Sequence, residues 1–88
     1  MADRFISPDA LREFALETAS QLRSTGHPAA ADLMHDAATF VTGSGWEWLG
    51  ELAHAAKKIE KKTRVSEMLA ARLARIREVA TSGRPYGY

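Results

Sequence analysis

At about 100° per residue, the stretch from Gly45 to Lys62 separates into two opposed half-circles, and this constrains the fold more than any other feature of the chain. Trp48, Leu49, Leu52, Ala53, Ala55, Ala56 and Ile59 occupy one arc. Glu47, Glu51, His54, Lys57, Lys58, Lys61 and Lys62 occupy the other. A helix with one wet and one dry side needs neighbours that cover the dry side, so the stretch predicts a helical bundle. Its first turn also contains both tryptophans of the chain, two positions apart. Residues so spaced on a helix point about 200° away from each other, so the two indoles cannot share the middle of one buried face. Trp48 lies well inside the apolar arc and is assigned to the core; Trp46 lies at its border and is assigned to the rim.

Three further helices follow from periodicity and end signals. Ser7-Pro8-Asp9 supplies an N-cap hydroxyl, a proline at the first helical position and an acid at the positive end of the dipole. Leu11, Phe14, Ala15, Thr18 and Leu22 follow at helical spacing until Gly26 and Pro28 end the run. A second helix, about 28–42, turns Ala30, Leu33, Met34, Ala37, Ala38 and Val41 inward. A fourth, about 65–81, buries Val65, Met68, Leu69, Leu73, Ile76 and Val79, with Arg72 intruding on the stripe and expected to extend past Met68 and Ile76 to Glu60 or water. The expected architecture is an all-α four-helix bundle with helices at about 8–25, 28–42, 45–62 and 65–81, residues 1–82 forming one domain and 83–88 a flexible C-terminal tail. Neither glycine nor proline separates the last two helices, so the alternative is one long helix in a dimer. An unbroken helix would turn the apolar stripe by more than a quarter turn near Thr63, which favours a break with Thr63 or Ser66 as the new cap.

Composition removes several classes of function. At 88 residues, 45% hydrophobic and 26% charged, the chain suits one compact domain. The absence of cysteine removes disulfides, thiolate metal sites and cysteine nucleophiles together. No apolar run approaches the roughly 20 residues that span a bilayer, and the acidic start does not resemble a signal peptide; the expected location is the cytoplasm. Asp32, His35, Asp36 and Thr39 share one side of the second helix at spacing that could hold a metal. They point away from its apolar stripe, whereas ligands in metal-binding bundles project inward, so neither metal nor cofactor is expected. His27 reads as a turn residue and His54 as a solvated one. No serine, histidine and acid fall at catalytic spacing, and Gly43-Ser44-Gly45 lacks the lysine of a phosphate loop. The chain is therefore not expected to be an enzyme or to bind a small-molecule substrate.

Charge is what remains to suggest a partner. Residues 1–43 carry three basic and six acidic side chains, residues 44–88 nine basic and five acidic, and eight of those nine lie between Lys57 and Arg77. An exposed aromatic beside concentrated positive charge is typical of a docking surface. The expected function is a non-catalytic protein–protein interaction module, an adaptor, inhibitor or regulator of a larger assembly. In this reading Trp46 is the anchor, and Lys57, Lys58, Lys61, Lys62 and Arg64 steer it toward an acidic surface on a partner or on the N-terminal half of a second copy. The alternative is a nucleic-acid-binding protein that contacts phosphates through Lys57–Arg77. A helix-turn-helix reading places Ile59 where the turn requires glycine and His54 where an apolar residue belongs. A membrane surface suits the alanine-dominated apolar face poorly.

Overall fold

The computed structural model describes residues 5–40, 45–83 and 86. Four helices follow one another: α1 (Pro8–Ser24), α2 (Pro28–Ala38), α3 (Gly45–Lys62) and α4 (Glu67–Thr81). Each packs on the next and α4 returns to α1, while the backbones of the diagonal pairs stay further apart among the described residues. The ring closes around one core that includes Leu11, Leu22, Met34, Leu52, Ile59, Leu73 and Ile76. Among the described residues, no helix is long and apolar enough to cross a membrane.

Local chemistry sets the helix ends. Ser7 is extended and its Oγ accepts the Ala10 N–H at 3.2 Å, with Pro8 directly after it. At the other end of α1 the chain turns through Gly26 at φ 90°, a left-handed conformation suited to glycine, and the His27 N–H donates to the Leu22 carbonyl at 2.8 Å. His27 precedes α2 without a side-chain capping bond. The new cap before α4 is Ser66, whose Oγ accepts the Leu69 N–H at 3.3 Å. The fused-helix alternative therefore does not describe the chain: α3 stops at Lys62 and α4 starts at Glu67.

Two expectations change. α2 ends at Ala38 rather than near 42; Thr39 and Phe40 have left the helix, and Val41 and Thr42 lie outside the described residues. Side chains from two other helices take the place of continued helical bonding there. The Ala38 carbonyl accepts the Trp48 indole N–H at 2.9 Å and the Arg12 Nε–H at 3.1 Å. Met68, expected inside, is 68% exposed. It lies roughly a quarter turn from the centre of the Leu69–Leu73–Ile76–Ala80 stripe, and Val65, before the helix, is half-buried.

Arg72 also departs from expectation, because it reaches α1 and not Glu60. Its Nε donates to Thr18 Oγ1 at 2.9 Å, one terminal nitrogen donates to the Phe14 carbonyl at 3.1 Å, and the guanidinium carbon sits 3.9 Å from the Phe14 ring centroid. Thr18 is fully buried and also donates to the Phe14 carbonyl. Buried polar atoms are seldom left without partners, and this hydroxyl both accepts and donates. Arg75 lies over Phe5 and Phe14, whose rings are 5.2 Å apart. Of the expected tail, Gly83 and Tyr86 are described; Tyr86 forms an isolated bridge with Phe5, and partial burial pushes its phenol pKa up against the opposing effect of Arg12.

Candidate protein-docking surface

The two tryptophans separate as their helical phases require. Trp48 is 4% exposed, fixed by its bond to Ala38 and by the Arg12 guanidinium 5.1 Å from its ring centroid. Trp46 is 68% exposed. The same helix thus inserts one indole between its neighbours and presents the other outward, within its first turn.

The outward face of α3 continues from Trp46 through Gly50 and His54 to Lys57, Lys58, Lys61 and Lys62, all exposed, with Arg64 exposed in the connection to α4. Among the described residues, none of these four lysines forms an ion pair. Glu60, the acid within the basic run, is directed elsewhere. It accepts from Arg77 Nε at 2.8 Å and from a terminal nitrogen at 3.4 Å, and this pairing raises the Arg77 pKa still further. With its carboxylate held toward α4, the run is more positive at its surface than its composition suggests. Lys61, Lys62, Thr63 and Arg64 border an open cleft of about 530 Å³ together with Glu60, Val65 and Ala70.

The six residues assigned to docking from sequence therefore lie on one helix face and its continuation. Trp46 stands at the amino end of that face, while Arg64 and the cleft lie at the other, so an occupant contacting all six must run along the helix. The remaining basic residues form a separate group. Arg72 and Arg77 are engaged by Glu17, Thr18 and Glu60, and Arg75 stacks on rings.

Gly50 was not singled out in the sequence. A Cβ there would meet nothing within 4 Å, so packing within the chain gives no reason for glycine inside a helix. Its position four residues after Trp46 is the signal that marks it. On the polar side of α2 His35 Nδ1 lies 3.7 Å from Asp36, and among the described residues no group of three metal-ligating side chains lies together. No known protein family, curated protein or solved structure matches the chain.

Proposed function

We propose that this chain is a cytoplasmic, non-catalytic protein-binding module that docks through the start of α3 and the lysine face continuing from it. The observation that carries the reading is the contrast within one helical turn: Trp48 is 4% exposed and Trp46 68%. A rigid indole held outward by a fixed helix loses little conformational freedom on binding and offers a large area to desolvate, which is why tryptophan is enriched among binding hot spots. Lys57, Lys58, Lys61, Lys62 and Arg64 supply long-range attraction to an acidic surface and orientation on arrival.

Phosphate contact is the second reading, favoured by the cations around the Lys61–Arg64 cleft. It is the weaker one, because Arg72 and Arg77 hydrogen-bond within the chain and a stacking residue such as Trp46 stands at the far end of the helix. Recovery of partners from native extract, with wild type, Trp46→Ala and Lys57→Glu/Lys58→Glu as parallel baits, tests the docking reading. Partners retained by wild type and lost from both variants support it; identical recoveries from all three contradict it. Titration with duplex and single-stranded nucleic acid at low and high salt tests the second reading, which requires binding at low salt that weakens steeply as salt rises.

A further inference from the structure

We infer that the occupant of the α3 face is a second copy of the same face, the two helices crossing antiparallel about a twofold axis near His54; this rests on the docking reading above and names its partner. The inference comes from the order of charge along α3. On this face its exposed acids, Glu47 and Glu51, precede His54, and its exposed lysines, Lys57, Lys58, Lys61 and Lys62, follow it; the other exposed acid of α3, Glu60, lies off the face and is paired with Arg77. Preference for acids at a helix start and bases at its end fades within the terminal turns, so it accounts for Glu47 and Lys62 but not for Glu51, Lys57 or Lys58. Segregation also places Lys57 beside Lys61 and Lys58 beside Lys62 at the repulsive four-residue spacing, and Glu51 has no lysine or arginine three or four positions away. A helix stabilised for itself would interleave these charges.

Antiparallel pairing resolves the segregation. At about 100° per residue, Trp46, Gly50, Lys57 and Lys61 occupy one flank of the exposed face, roughly 60° wide, and Glu47, Glu51, Lys58 and Lys62 occupy the other, with His54 between them. In an antiparallel pair related by a twofold axis each flank meets its own copy. The first flank then sets Trp46 against Lys61 of the second copy, a cation over an indole, and lays the Lys57 stem of the second copy across Gly50, where no side chain obstructs it. The second flank sets Glu51 against Lys58 and Glu47 against Lys62. All four pairs fall in a single register centred on residue 54. The acidic surface of α1 and α2 is a poorer complement, since Arg23 engages Asp32 and Arg72 engages Glu17.

Single charge reversals give the test. Glu51→Lys leaves Glu47 as the one acid of the second flank and Lys58→Glu leaves Lys62 as its one base, so in each variant the two pairs between positions 51 and 58 bring like charges together and the variant repels its own copy. An equimolar mixture of the two pairs opposite charges at every flank position. Sedimentation equilibrium of wild type at low ionic strength should show a reversible dimer forming over roughly 10 µM to 1 mM, as expected for a small polar interface. Each variant should self-associate about tenfold more weakly, and the mixture should recover association at or above the wild-type level while circular dichroism stays unchanged. A wild type that is monomeric across this range, or a mixture that fails to recover, overturns the inference. In either case, Trp46-dependent recovery of another protein leaves the docking reading standing, and its absence removes both.

Discussion

The arginines of α4 and the lysines of α3 are a few residues apart in sequence and opposite in use. Arg72 and Arg75 lie against α1, one hydrogen-bonded to a buried hydroxyl and a carbonyl, both over aromatic rings; Arg77 is paired with Glu60. Lys57, Lys58, Lys61 and Lys62 face solvent. The guanidinium is planar, weakly hydrated and able to donate in several directions at once, so it joins helices; the ammonium is compact and strongly hydrated and stays out. One run of positive charge in the sequence thus becomes a structural joint and an open face. Net charge by halves cannot separate them, and a count of cations exaggerates what is left for a partner.

The inner side of that contrast should be the most sensitive to substitution. Trp48→Ala should destabilise the fold by roughly 3–5 kcal/mol, because it empties the core and leaves the Ala38 carbonyl with one donor fewer; urea denaturation measures it. Thr18→Val should cost about 1–3 kcal/mol by removing the buried acceptor of Arg72, and Arg72→Lys should cost a similar amount, since an ammonium cannot serve Thr18 and the Phe14 carbonyl while stacking on the ring. If both substitutions are neutral, the joint is not what holds α4 to α1.

Most of the architecture was legible in the sequence because local signals agreed with periodicity. Ser7-Pro8, Gly26 and Ser66 all act where their chemistry places them, and the phase change near Thr63 does mark a break. What escaped depended on contacts between distant positions. The end of α2 is set by Trp48 and Arg12 meeting at one carbonyl, and the partner of Arg72 is a threonine 54 positions away; Met68, by contrast, faces outward by helical phase alone, well off the stripe of its own helix. At the proposed docking face the positions of Trp46 and the lysines could be read from helical phase alone. Gly50 could not, because its meaning rests on the empty space around it.

On the outer side, effects should be smaller and their sign informative. Gly50→Ala should stabilise the fold by about 0.5–1 kcal/mol, because alanine favours a helix interior and nothing in the chain obstructs its methyl. A larger residue such as Gly50→Leu should leave folding intact and weaken self-association. Lys57→Ala and Lys61→Ala should each change stability by less than about 0.5 kcal/mol; losses comparable to that of Arg72→Lys would erase the distinction between the two sets of cations.

Acrylamide quenching of two single-tryptophan proteins, Trp48→Phe retaining Trp46 and Trp46→Phe retaining Trp48, measured as concentration is raised, addresses the outward-facing indole most directly. The retained Trp46 should be quenched readily in dilute solution and become shielded as molecules associate, while the retained Trp48 should stay protected throughout. A Trp46 signal already shielded in dilute monomer, or one equally accessible at every concentration and with every recovered partner, would contradict the account.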